Sequence, residues 1–171
     1  MTAPSARPLP VTLWLLAPWL ACAAGQIVLA APVRVLGLQL PEPVFAFAAA
    51  FAWGAIRPSP LPPIALLVMG VFLDALWGAP IGFWALCLLA VYAPALLGRR
   101  ILAGASFPVL WGWYAAACAM ALGVGWAIVA ARSGTAPDLV GVFWQWLVTA
   151  ALYPFAGRLI EGYEEADVRF R

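Results

Sequence analysis

Apolar runs dominate the chain, and the few charged side chains fall between them. The first run extends without a charge from Val11 to Ala31 and is closed by Pro32 and Arg34. A second covers about residues 44–56, opened by Pro41, Glu42 and Pro43 and closed by Arg57 and Pro58. The third, 62–77, starts at Pro62 and Pro63, where proline is tolerated because the first helical turn needs no N–H partner. After Gly78, Ala79 and Pro80 a fourth run covers 81–97 and stops at Gly98, Arg99 and Arg100. The fifth, 109–131, and the sixth, 139–157, are separated by Arg132, Ser133, Gly134, Thr135, Pro137 and Asp138. Residues 158–171 form a short charged tail in which Glu161, Glu164, Glu165 and Asp167 accompany three arginines.

Roughly 20 apolar residues are needed to cross a hydrocarbon core of about 30 Å. The pattern therefore predicts an all-α integral membrane protein, one polytopic domain of about six transmembrane helices. The second run is short, because its 13 residues reach only about 20 Å at helical rise. It is expected to borrow Val35 to Leu40 or to meet a locally thinned bilayer. A re-entrant hairpin of runs two and three is the alternative, and it would bury Arg57 at its tip. The N-terminal run resembles a signal peptide, with Arg7 ahead and Leu20, Ala21, Cys22 near a cleavage-like box, but it is long for one and reads as an uncleaved first span.

Composition sharpens this. Of 171 residues 66% are apolar and 9% charged, against about 25% charged in soluble domains, and the mean hydropathy is +0.99. Little length remains for a catalytic domain outside the membrane. Histidine, lysine and asparagine are absent, which removes imidazole bases, His-ligated metals and Asp–Asn peptidase motifs. Intramembrane aspartyl peptidases need two carboxylates that meet, and Asp138 is the only evident second to Asp74. Cys22, Cys87 and Cys118 lie far apart inside apolar runs, as packing residues do. A net charge of +2 without a basic cluster gives no nucleic-acid footprint. The chain thus reads as a non-enzyme, with no catalytic, metal or cofactor-binding residues to assign and membrane lipids as its surroundings.

Arginine placement orients the spans. Arg7, Arg57, Arg99, Arg100, Arg158, Arg169 and Arg171 fall on the side of the termini, and Arg34 and Arg132 on the other. Positive residues favour the cytoplasmic side, so both termini are expected there. Trp77, Trp84, Trp126, Trp144 and Trp146 then mark outer ends and Trp14, Trp53, Trp111 and Trp113 inner ends, as headgroup-level tryptophans do. Trp19, inside the first span, does not fit.

Small residues recur every fourth position at Ala17, Ala21, Gly25, at Ala46, Ala50, Gly54, and at Ala115, Ala119, Gly123. Such stripes let helix backbones approach. With 36 Ala and 15 Gly in the chain the spacing is common, so Ala46, Ala50 and Gly54 read as a helix-packing face or a partner face. The run Gly70, Asp74, Gly78, Gly82 is more informative, because Asp74 is the only ionisable group between Arg57 and Arg99. Counting from Pro62, Asp74 lies about 18 Å along its helix, in the outer half of the bilayer. Intramembrane carboxylates are costly unless partnered. Two roles are open: capping the outer turn through N–H groups of Ile81 to Phe83, or contact with a partner or ligand.

The segment from Leu67 to Leu86, with Gly70, Asp74, Gly78 and Gly82 and a tyrosine, Tyr92, in the helix that follows, resembles the central segment of the rod shape-determining protein MreD family. The prolines at Pro41 and Pro43 ahead of span two, and Tyr153, Pro154 and Arg158 in the last span, are similar to it as well. The resemblance implies a multi-pass component of the bacterial inner (cytoplasmic) membrane. It implies a scaffold or regulator of peptidoglycan synthesis in the cell-elongation machinery, without catalytic residues. Its implied partners are an MreC-like bitopic protein and, through it, MreB, RodA and a class B penicillin-binding protein. A competing reading is the substrate-binding membrane subunit of a vitamin uptake transporter, with Ala17 and Ala21 as a docking face. The spans offer such a pocket only Gln26, Asp74, Gln145 and Thr149, and vitamin binding by the purified protein discriminates the two.

The orientation is tested by labelling single introduced cysteines in intact cells. A membrane-impermeant thiol reagent should reach position 134 and not the inner end of span four near Gly98; labelling of the inner site alone would reverse the assignment.

Overall fold

The computed structural model describes residues 11–30, 34–35, 38–39, 42–56 and 59–158. The charged tail beyond Arg158, Arg7, Pro41 and Arg57 lie outside the described residues. Six helices are present among the described residues: α1 (Val11–Ala30), α2 (Phe45–Ile56), α3 (Leu61–Trp77), α4 (Phe83–Leu102), α5 (Phe107–Ser133) and α6 (Leu139–Ala150). Between α1 and α2 runs a minimal antiparallel ladder of β1 (Arg34–Val35) and β2 (Leu38–Gln39), with Arg34 opposite Gln39 and Val35 opposite Leu38. Three helices are long and apolar enough to cross a membrane, namely Phe83–Leu102, Phe107–Ser133 and Leu139–Arg158; the apolar stretches Leu15–Val28, Phe45–Ile56 and Leu61–Trp77 are shorter.

The ladder corrects one expectation. Val35 to Leu40 does not extend α2: Val35 pairs with Leu38, and the helix begins only at Phe45. The cause lies in Pro41 and Pro43, which lack N–H donors and bias the residues before them away from helix. The short α2 is accommodated differently. Every residue from Ala46 to Gly54 is buried, so the helix is sheathed by the others and forms the centre of the core. Just ahead of it Val44 is fully buried, and its N–H donates to Thr149 Oγ1 at 3.2 Å. Non-helical backbone is tolerated at such depth only when protein partners satisfy it.

α4 lies closest to α2. A Cβ built on Gly54 would stand 2.7 Å from the Tyr92 carbonyl oxygen and 2.8 Å from Ala95 Cβ, so this crossing admits hydrogen and nothing larger. α4 does not stop at Leu97 but continues through Arg99 and Arg100 to Leu102. Gly98 is buried under the Trp113 ring, and the two arginines sit where the negative end of the helix dipole favours them. The inner-side labelling probe therefore belongs at Gly104, in the open turn after α4.

α5 starts with Pro108 in its first turn and ends at Gly134, in the left-handed region with φ 68° and an N–H donated to the Ala130 carbonyl. Trp126 Nε1 donates to the Pro137 carbonyl at 3.1 Å. The returning chain is thus level with Trp126, and the last turns of α5 overhang the start of α6. α6 pauses at residues 151–152 and resumes over 153–158. Pro154 has no N–H to continue the ladder. The step is made by bonds at three-residue spacing, Leu152 to the Thr149 carbonyl and Phe155 to the Leu152 carbonyl.

Tryptophans tie helix to helix. Trp19 Nε1 donates to the Ala65 carbonyl of α3, Trp111 to Ala150 of α6, and Trp146 of α6 to Ala115 of α5. Trp19, which fits no interfacial belt, is thereby placed as a staple between α1 and α3.

Glycines on α2 and α5 separate close approach from open surface. Gly54→Ala forces apart α2 and α4 and should destabilise the protein by about 1–3 kcal/mol. Gly123 has nothing within 4 Å of a Cβ, and Gly123→Ala should stabilise α5 by about 0.5–1 kcal/mol. Thermal unfolding of the purified proteins in one detergent measures both; equal shifts would contradict the tight crossing.

Candidate functional site

The site most clearly written in the sequence, Gly70, Asp74, Gly78 and Gly82, comes together at the C-terminal end of α3 and the start of α4. Asp74 is 3% exposed. Its Oδ2 accepts from the Gly82 N–H at 2.6 Å and its Oδ1 from the Trp84 N–H at 2.9 Å. α4 has Gly82 as its N-cap residue, which has no side chain to cap with. A carboxylate from the preceding helix supplies the missing acceptor, where the positive end of the α4 dipole favours negative charge. The donors are Gly82 and Trp84, rather than the full set from Ile81 to Phe83 considered from spacing alone.

Each glycine has its own part. A Cβ at Gly70 would overlap the backbone N and Cα of Ala85, so Gly70 sets the distance at which α4 packs on α3. Gly78 ends α3 at φ 63°, a left-handed conformation that glycine adopts without penalty. The Asp74 carbonyl accepts from both Gly78 and Ala79. Gly82 turns the chain into α4 at φ 91°. One residue therefore organises the whole turn, through its main-chain oxygen on one side and its carboxylate on the other.

The stripe Ala46, Ala50, Gly54 is placed differently from a docking surface. All three are buried inside the fold, Ala46 at 1% and Ala50 at 0% exposure, with α4 against Gly54. Within this chain they pack helix against helix. Ala17 and Ala21 of α1 and Ala119 and Gly123 of α5 are exposed, and Ala115 is half-buried.

Thr149 is a second junction, marked in the sequence only as one of the four polar residues that the spans offer. Its hydroxyl takes the Val44 N–H and its carbonyl accepts the Tyr114 hydroxyl at 3.1 Å, joining the start of α2, α5 and α6. Tyr114 packs edge-on to Phe51 and is tilted against Tyr153. Tyr92 is buried on α4, where its carbonyl faces Gly54. Asp138 is spent on α6, accepting from Val140 and Gly141 at 3.1 Å each. The polar residues that a ligand pocket would need are thus largely committed: Asp74, Asp138 and Thr149 hold backbone donors, and Gln145 Nε2 donates to the Glu42 carbonyl at 3.3 Å. Gln26 is the exception, 1% exposed and with both amide atoms unpartnered among the described residues. Leaving a buried donor or acceptor unmet costs about 1–3 kcal/mol. The three cysteines are buried free thiols.

At the same end of the bundle a groove of about 420 Å³ opens between the Asp74 turn and the first turns of α6, with Glu42, Trp77, Phe83 and Trp84 in its walls. The Trp77 and Trp84 rings meet with centroids 4.6 Å apart, and Trp77 Nε1 is buried without an acceptor among the described residues.

No family model, curated protein or solved structure matches this chain.

The two-oxygen geometry sets what substitution at Asp74 does. Asparagine offers one acceptor and would set its amide N–H₂ against a backbone N–H, so it does not replace the carboxylate. Asp74→Asn should cost about 1–3 kcal/mol for one orphaned donor and Asp74→Leu about twice that, read as unfolding midpoints in detergent. Asn at wild-type stability would show that the second oxygen contributes nothing.

Proposed function

We propose that this protein is a non-enzymatic, multi-pass component of the bacterial inner membrane, with six spans and cytoplasmic termini, that scaffolds or regulates peptidoglycan synthesis in the cell-elongation machinery. One observation carries the reading. The residues that resemble the MreD family, Gly70, Asp74, Gly78 and Gly82, are used entirely to hold two helices in a fixed turn, and the carboxylate among them is consumed by backbone donors. A motif spent on shape suits a protein whose work is to present a rigid surface to membrane partners. The partners in this reading are an MreC-like bitopic protein and, through it, MreB, RodA and a class B penicillin-binding protein. With Ala46 and Ala50 enclosed, the small-residue surfaces left for a partner helix are Ala17 with Ala21 and Ala119 with Gly123.

Depletion of the protein in its own bacterium should turn rods into spheres, and the tagged protein should co-purify a single-span protein with a periplasmic coiled coil. Leucine at Ala119 and Gly123, or at Ala17 and Ala21, should reduce that recovery at least severalfold at unchanged abundance, since a bulky side chain separates backbones. Rod-shaped cells after depletion would refute the reading, and full recovery with both double variants would remove the stripes from it.

A further inference from the structure

The groove beside the Asp74 turn combines two features with one chemical complement. Its only ionisable lining residue is an acid, Glu42. Trp77, Phe83 and Trp84 present aromatic rings in the same walls, with Phe83 edge-on to Trp84 at 5.3 Å. Aromatic faces beside a carboxylate attract organic cations, because the negative face of the ring adds to the charge. A ligand that fits carries an ammonium group.

Position selects the source. The groove lies where α3 ends and α4 and α6 begin, at the level of the turns, and next to it α6 exposes Val140, Phe143, Trp144 and Leu147. An acyl chain leaving the groove would run along that apolar face. We propose that the groove holds the headgroup of a zwitterionic lipid of the phosphatidylethanolamine type, its ammonium against Glu42 and the aromatic rings. An anionic lipid without an ammonium brings its charge to Glu42 and is disfavoured. Gly141 forms the α6 side of the groove, and only Asp138 Oδ2, at 3.7 Å, lies near a Cβ built there. A side chain at that position fills the groove without entering the core. The inference rests on the chain lying in a membrane and not on its part in cell elongation.

Native mass spectrometry of the purified full chain, exposed to equal amounts of phosphatidylethanolamine and phosphatidylglycerol, tests it. The ammonium lipid should be retained about tenfold over the anionic one, the ratio that a desolvated cation–π contact supplies. Glu42→Gln and Gly141→Leu should each bring the ratio to near one while the melting temperature stays within a few degrees of wild type. Millimolar glycerophosphoethanolamine should displace the bound lipid. Equal retention of the two lipids by the wild type, preference for the anionic one, or a bound lipid that the soluble headgroup fails to displace would each overturn the proposal. So would an unchanged ratio in both variants. The wild-type arms decide even if a variant fails to fold.

Discussion

Two backbone N–H groups at the start of α4 find their acceptors on a side chain from α3, and much of the bundle is referenced to that contact. Asp74 reaches Gly82 and Trp84 only because Gly70, one turn earlier on the same face, lets the Ala85 backbone lie against α3. The position of α4 is thereby set at its N-terminal end. α4 is also the helix that presses on α2 at Gly54 and receives the Trp113 ring at Gly98. The carboxylate is tolerable in an apolar setting because both its oxygens are occupied and the helix dipole opposes its charge.

Thr149 performs the complementary task on the other side of α2. Its hydroxyl closes the non-helical backbone at Val44, and its carbonyl anchors Tyr114. The central helix is therefore fixed by a hydrogen bond at its entrance and by close backbone packing near its exit. Between these points Ala46 to Ala50 and Phe51 fill the core, small residues admitting neighbouring backbones and aromatic ones filling the volume that remains. The interior thus depends on a few polar contacts, with Gln26 and Trp77 Nε1 left without partners among the described residues.

Some of this was legible in the chain and some was not. Asp74 stood out because a lone acid in a long apolar stretch must have a partner, and glycines at fourfold spacing around it implied close contact. Helix positions followed from charge punctuation, but their ends did not. Arg99 and Arg100 read as a stop, whereas α4 carries them in its last turn. The stripe at Ala46, Ala50 and Gly54 looked the same as those on α1 and α5, because in lipid an inward and an outward apolar face have no compositional contrast. Only the packing separates them. Thr149 and Trp19 were obscure for a related reason: one polar atom on an otherwise apolar surface leaves no periodic trace, and its partner lies more than forty residues away.

The shortness of α2 bears on how the protein is made. Twelve residues extend about 18 Å, well under the roughly 30 Å of a hydrocarbon core, and the helix is enclosed on every side in the finished fold. During synthesis it leaves the ribosome before α4, the helix that covers its Gly54 face, and before Thr149, which closes its entrance. Alone in lipid it would expose unsatisfied backbone at its ends. In a chain embedded in a bilayer, α2 is therefore enclosed only once the later helices arrive, so that the order of packing differs from the order of translation.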